Sequence, residues 1–303
     1  MLKNIPGQRA HWAARFAFSA VIGLWAVPAS AQTLSLAGVR NSSLPQALYD
    51  SGTIFTPGYY DQVQVQNGTG LAAASTVNGA ARAQSDYGVN RVAAASFAPV
   101  DDESLRQTSI GGPFADAFSV WADRFVVQGG SGVGSLSVSA IVSGQFGAQP
   151  GGFGFYDLMV VDSGDAVADA RTVAAILRDE SGPDTLSAVS VLSLAQEVPA
   201  PGRGTDVESL APGAAFGRVL GGEITFTYGR PFYLISVLGA SANDFGSLSA
   251  FNSAHFGITA PMGAAIASDA GVSYAAAVPE PSTALMALVG CLGLAVRRSR
   301  KSK

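Results

Sequence analysis

The chain is poor in the residues from which reactive and metal sites are usually built. Of 303 residues one is cysteine, two are histidine and three are tryptophan. The cysteine, Cys291, and the only lysines, Lys3, Lys301 and Lys303, all fall within residues 1–31 or 278–303. The stretch between, residues 32–277, therefore offers no thiolate nucleophile, no thiolate zinc ligand and no disulfide, whatever the redox compartment. It keeps one histidine, His255, and one tryptophan, Trp121. Catalytic zinc usually takes two or three imidazoles, so one histidine argues against such a site. The stretch holds 10 arginines against 21 acidic residues, a net charge of −11. Nucleic acid and anionic lipid reward basic patches, and an acidic body disfavours both as partners. With no covalent staple, a body of this length must hold itself by its core.

What is there is concentrated first at the two ends. Lys3, Arg9 and Arg15 form a positive segment, Phe16 to Val27 an apolar run, and Ala29-Ser30-Ala31 the small residues of a cleavage site, with Pro28 ending the run. This reads as a secretory signal peptide, residues 1–31, cut between Ala31 and Gln32 and handled by a Sec-type export machinery.

At the other end Val278, Pro279, Glu280, Pro281, Ser282 and Thr283 are followed by an apolar run from Ala284 to Val296. The basic residues Arg297, Arg298, Arg300, Lys301 and Lys303 then close the chain. Pro279 and Pro281 fix φ on either side of Glu280 and remove two N–H donors, which favours extended backbone that a protease can read. As a helix the run from Ser282 to Val296 spans roughly 22 Å against about 30 Å of hydrocarbon, short for a permanent span. The basic end fixes the tail in the cytoplasm and puts the Pro-Glu-Pro box on the periplasmic side. Gly290 and Gly293 soften the helix or permit close packing, and Cys291 serves as a small apolar residue.

In order and spacing these three parts resemble the PEP-CTERM sorting signal of exported proteins of Gram-negative bacteria. The resemblance implies an exosortase-type processing enzyme as partner and a transient stay in the inner membrane. It further implies delivery to the outer surface or extracellular matrix. It covers under a tenth of the chain and implies an address, not an activity.

Residues 32–277 read as one secreted all-β domain, a jelly-roll-like β-sandwich with one short helix, between the signal helix and the C-terminal membrane helix. Tyr60 to Gln66 alternates, and Asn67-Gly68 ends it as a turn; Leu71 to Ala98 reads as strand and loop. Phe118 to Val127 and Gly134 to Gly144 read as successive strands, with Leu136, Val138, Ala140 and Val142 on one face and serines on the other. The glycines of Gly129 to Gly134 lack the lysine of a phosphate loop and suit a hairpin connection. Phe153 to Val161 is a further strand. Asp165 then caps an expected helix from Ala166 to Arg178, whose stripe is Val167, Ala170, Val173, Ala174 and Leu177; a strand at Thr172 to Leu177 is the alternative. Leu186 to Leu194 alternates, Val198 to Gly213 reads as a surface loop, and Glu223 to Leu238 as a hairpin about Gly229-Arg230-Pro231. The final strands, YGRPFYL and NDFGSLSAFNSAHFGI, resemble those of other PEP-CTERM precursors.

Chemistry finds little purchase here. A Ser-His-Asp arrangement would need His255, with Ser253 two residues away, but no serine sits in a G-x-S-x-G elbow. Asp101-Asp102-Glu103 and the group Asp162, Asp165 and Asp169 suit turns and a helix cap better than a calcium loop. Glu180, Glu197, Glu208 and Glu223 leave a glycosidase-like carboxylate pair as a three-dimensional question. Sugar stacking would draw on Trp121, Tyr59, Tyr60, Phe153, Phe155 or Tyr156. The expectation is a structural or interaction protein of the cell surface or extracellular matrix, with no catalytic activity, cofactor or metal. The alternative is a carbohydrate-binding module acting on exopolysaccharide.

Overall fold

A computed structural model describes residues 31–40, 60–67, 70–97, 114–177, 188–198 and 208–274. The expected signal helix, the Pro-Glu-Pro box Val278 to Thr283, the apolar run Ala284 to Val296 and the basic tail lie outside them, as do Asp101-Asp102-Glu103 and Glu180. In chain order the elements are β1 Gln32–Arg40, β2 Tyr60–Asn67, β3 Gly70–Thr76, β4 Gly79–Asp86, β5 Val89–Ser96, β6 Phe114–Gln128 and β7 Val133–Phe146. They continue with β8 Gly152–Val161, α1 Ala166–Leu177, β9 Ala188–Val198, β10 Glu208–Ser209, β11 Ala215–Thr227, β12 Pro231–Asn243, β13 Ser247–Thr259 and β14 Ala265–Ser268. Two sheets face each other. The first runs β10-β9-β8-β12-β6-β1-β2 with β14 added on β6; the second runs β11-β7-β13-β5-β4-β3. The expected all-β sandwich with one short helix is what the chain forms.

Strand periodicity explains the layers. In β7 the inward residues Leu136, Val138, Ala140 and Val142 are buried while Ser135 and Ser137 face water. By contrast β12 is buried along nearly its whole length. Phe232, Leu234 and Leu238 point between the sheets; Tyr233, Ile235 and Val237 point to the outer face, where they share an apolar cluster with Val173 of α1. A strand dry on both faces loses the alternation that marks a half-wet one.

The two expected hairpins turn out to be crossovers. β6 and β7 lie in different sheets, as do β11 and β12; β12 pairs with β6 while β11 pairs with β7. The Gly129–Gly132 and Tyr228–Arg230 connections cross between the sheets side by side. The Tyr228 and Gly229 amides donate to the carbonyls of Gly132 (3.0 Å) and Val127 (2.8 Å). Alternation tells that a strand has one dry face and does not tell which sheet that face belongs to. For the same reason the expected turn after β2 leads instead to a change of sheet, since β2 pairs with β1 and β3 with β4. The expected loop from Val198 to Gly213 contains β10, which runs parallel to β9.

In α1 the cap is as expected: the amides of Val167 and Ala168 donate to Asp165 Oδ1 at 2.8 and 3.3 Å. The buried face is so in part: Val173 is buried and Ala170 packs beside it, but Val167 is 62% exposed, and Asp169 and Thr172 are buried. The Asp169 carboxylate accepts from the Ser163 amide at 2.8 Å, which turns that polar position inward against the preceding loop.

Small residues set the spacing in one half of the sandwich. Ala37, Ala72, Ala74, Ala81, Ala83, Ala94, Ala115 and Ala117 are all buried there. Cα atoms of β4 come within 8 Å of those of β1 and β6 in the opposite sheet, nearer than the usual spacing of about 10 Å. At that distance side chains of one sheet reach the backbone of the other. The Ser85 hydroxyl accepts from the Val120 amide (3.1 Å) and donates to the Leu34 carbonyl, while the Ser119 hydroxyl donates to the Gln84 carbonyl (2.8 Å). Asn90 Nδ2 donates to the Ser119 carbonyl (2.8 Å) and hydroxyl (3.0 Å), and Asn90 Oδ1 accepts from the Ser236 hydroxyl (2.8 Å). Ser35 and Tyr156 extend this chain of buried groups at either end. Each leftover polar atom costs about 1–3 kcal/mol once a partner is removed, so Asn90→Ala should destabilise the body by about 3 kcal/mol. Urea unfolding of the exported protein measures this, and an effect under about 1 kcal/mol would show that water replaces the amide.

Candidate functional site

The described chain ends in a strap that closes one end of the sandwich. β14 pairs with β6, Ser268 opposite Phe125. The chain then turns, with the Asp269 amide donating to the Arg124 carbonyl (3.0 Å) and the Gly271 amide to the Ser268 carbonyl (3.1 Å). At Tyr274 it crosses to the second sheet, where its carbonyl accepts from the Ile258 amide at 3.1 Å. The strap is thus bonded to both layers.

Its anchor is Tyr274. The ring lies 5.1 Å from Phe125, 5.5 Å from Trp121 and 5.8 Å from Phe256, centroid to centroid. Gly88, at φ +80°, lies beneath it; a Cβ there would come to 3.2 Å from the ring. The hydroxyl donates to Asp123 Oδ2 at 2.8 Å. Asp123 is fully buried, and its carboxylate also accepts from the Ser268 hydroxyl and from the amides of Arg124 (2.8 Å) and Ala270 (3.1 Å). Burial pushes the Asp123 carboxyl above its ordinary range, and these donors partly offset it. Burial, and then the neighbouring Asp123, push the Tyr274 hydroxyl up as well, so it stays a donor. Outside this core Arg124 pairs with Asp269 at 2.7 Å.

The expected signal-cleavage point and the last described residue lie at one end. Gln32 is the first residue of β1 and pairs with Ala122, next to Asp123. The chain therefore enters the sandwich where Tyr274 leaves it. From Tyr274 to Pro279 is five residues, at most about 18 Å of extended chain.

Other sequence candidates are scattered. His255 lies exposed on β13, and the side chain of Ser253 is outside the described residues. Asp162 pairs with Arg230, Asp165 caps α1 and Asp169 bonds the Ser163 amide, so these aspartates are engaged separately. Glu208 bonds Gln196 and Arg218, Glu223 lies near Ser135, and Glu197 is buried on β9 with Ser209 paired opposite it. Among the described residues no three His, Cys, Asp or Glu side chains stand together as a metal site, and no helix is long and apolar enough to cross a membrane. Trp121, Phe155 and Tyr156 are buried and cannot stack on a ligand; Phe153 packs against Phe155 at 6.1 Å. Tyr59 and the side chain of Tyr60 lie outside the described residues. Among the described residues the exposed phenylalanines are instead Phe97, just past the end of β5, and Phe245, in the turn between β12 and β13, where no periodicity singles them out.

A sandwich anchored at its last described residue and continuing into a Pro-Glu-Pro box, a short apolar run and a basic end is built to be handled by its C-terminus. The comparison with protein families identifies that handling: the PEP-CTERM protein-sorting motif matches residues 277–301. The chain thus carries the PEP-CTERM sorting motif, which implies export, exosortase processing and the secretion machinery that precedes it. None of the curated proteins compared matches the chain. Among solved structures, one similar chain is from the structure of infectious bursal disease virus Gx strain, at 11% identity, with 78% of this chain and 62% of that one covered and a TM-score of 0.17. This chain thus spans less than two thirds of that one, and no shared fold is defined at such a score.

Tyr274→Phe should lower stability by about 2 kcal/mol, the value of a hydrogen bond to a charged acceptor, and leave the ring packing unchanged. Urea unfolding with near-ultraviolet circular dichroism checks both parts. A second carboxyl sets a pH dependence. Burial pushes Asp157 up from 3.8 to about 6 despite the bond it accepts from Ser190 at 2.6 Å. A raised folded value favours the native state below the unfolded value and loses that contribution as pH rises through the folded one. Thermal midpoints should therefore fall more steeply between about pH 4 and 7 in the parent than in Asp157→Asn.

Proposed function

We propose that the body is a non-enzymatic structural or interaction protein, carried through the inner membrane by a signal peptide ending at Ala31 and released to the outer surface or extracellular matrix by removal of its tail. The observation that carries this reading is the coupling of motif to fold. The sorting motif begins at residue 277, three residues beyond a tyrosine bonded into the core. Cutting at or after the Pro-Glu-Pro box then removes the membrane segment and leaves the strap, the anchor and both sheets intact. The engagement of Asp162, Asp165, Asp169 and Glu208 with separate partners favours binding over catalysis, since general acid–base chemistry needs groups converging on one point.

Intact mass of the exported protein tests the reading. The expected species begins at Gln32 and lacks Arg297 to Lys303. A surface or matrix form that begins at Met1, or that keeps the basic tail, would overturn it.

A further inference from the structure

The opposite end of the sandwich carries a different feature. Phe97 is 53% exposed, Phe245 49% and Val77 90%. Backbone bonds bring their segments together: the Phe97 amide donates to the Asn78 carbonyl (2.8 Å), next to Val77, and the Ser96 amide to the Gly246 carbonyl (3.0 Å), next to Phe245. Three apolar side chains thus project from neighbouring turns and a strand end. They lie at the far ends of the strands from Asp123 and Tyr274.

The turn that presents Phe245 is strained. Asn243–Gly246 is closed by the Gly246 amide donating to the Asn243 carbonyl (2.7 Å), with φ of 48° at Asp244 and 66° at Phe245. Asp is tolerated at the first of these left-handed positions, whereas the second is the place of glycine. A bulky side chain there costs free energy that a glycine would not, and half-exposed as it is, Phe245 recovers little of that by burial. The turn is also wedged: a Cβ on Gly246 would lie 2.4 Å from the Gly151 carbonyl carbon. Strain of this kind, held in place by its surroundings and displayed to solvent, marks a side chain kept for what it touches.

We infer that this tip binds the apolar face of a neutral polysaccharide. The inference rests on reading the body as an interaction protein and names the class of partner. A half-exposed ring on each of two hydrogen-bonded segments offers a flat apolar face for the C–H side of a sugar. The residues that flank the rings, Asn78, Asn243 and Asp244, are polar. None of these flanking side chains is cationic, and the mature body is acidic at −11, so polyuronates, phosphates and anionic lipid are disfavoured. Of the aromatic residues expected to stack on sugar, Trp121, Phe155 and Tyr156 are buried in the core, whereas Phe97 and Phe245 are exposed.

The test uses the mature protein recovered from exporting cells, run by affinity electrophoresis through gels containing galactomannan, dextran, a soluble β-glucan, the cells' own matrix polysaccharide, or a polyuronate. Retardation by at least one neutral polymer and not by the polyuronate is expected, weakened roughly tenfold or more in Phe245→Gly and Phe97→Ser. Phe245→Gly should melt no lower than the parent, which separates lost binding from lost folding. Migration unaffected by every neutral polymer, or Phe245→Gly binding as the parent does, would overturn the inference. So would loss of self-association in Phe245→Gly without any polymer effect, which would assign the tip to a second copy of the chain. A wrong intact mass would instead count against the export reading, independently of any gel result.

Discussion

The close approach of the two sheets around Ser85, Asn90 and Ser119 is the constraint on which the rest of the body depends. Alanine on both inner faces makes the approach sterically available, and hydroxyl and amide side chains then bond across it to the opposing backbone. Apolar burial alone is nondirectional and tolerates sliding of one sheet over the other. Bonds from Ser85 to both Val120 and Leu34, and from Asn90 to both Ser119 and Ser236, admit one alignment. For a chain without disulfides between residues 32 and 277, that directional lock takes the place a covalent staple would hold in a smaller secreted domain. The other half of the sandwich is filled by large rings, Phe125, Phe226, Phe232 and Phe146, where the layers have room for them.

The alignment has consequences at both ends. Side-by-side crossovers from β6 to β7 and from β11 to β12 interlock the sheets at the end that also carries Gln32, Asp123 and Tyr274. Gln32 and Tyr274, where the described chain enters and leaves the sandwich, therefore lie on one side, and the segments carrying Val77, Phe97 and Phe245 on the other. Polarity of this sort arises from strand direction alone. β1 begins and β14 ends beside the same stretch of β6, so the first and last described strands meet at one end of the sandwich.

How much of this was legible depended on whether a feature is local. The alternation of Leu136 to Val142 and the Asp165 cap are written within a few residues, and both formed as expected. So was the sorting tail, whose three parts are consecutive. Sheet membership was not legible, because a half-wet strand looks alike in either layer of a sandwich; hence Gly229-Arg230-Pro231 reads as a hairpin and is a crossover. The face of α1 is legible only in part: Ala170 and Val173 face the sheet as their spacing predicts, but Asp169 is polar and yet turned inward by the Ser163 amide. Tyr156 and Phe155 looked available for ligands, but β8 is an interior strand of its sheet, with β12 on one side and β9 on the other, and both rings are buried. The Asp123–Tyr274 pair is separated by 151 residues, and nothing in either neighbourhood announces the other.

Fastening Tyr274 to both layers also decides how the body bears mechanical load. While the tail is embedded or gripped, any pull on it is transmitted at one ring and one carboxylate held between the sheets. The short pairing of β14 with β6 lies behind that point and is shielded by it. A strap held only by β14 would peel away one hydrogen bond at a time. Pinned at its far end, it must give up the aromatic contacts, the Asp123 bond and the Ile258 bond together before the first strand pair feels the force. The body can thus be towed by its own C-terminus without being unravelled from it.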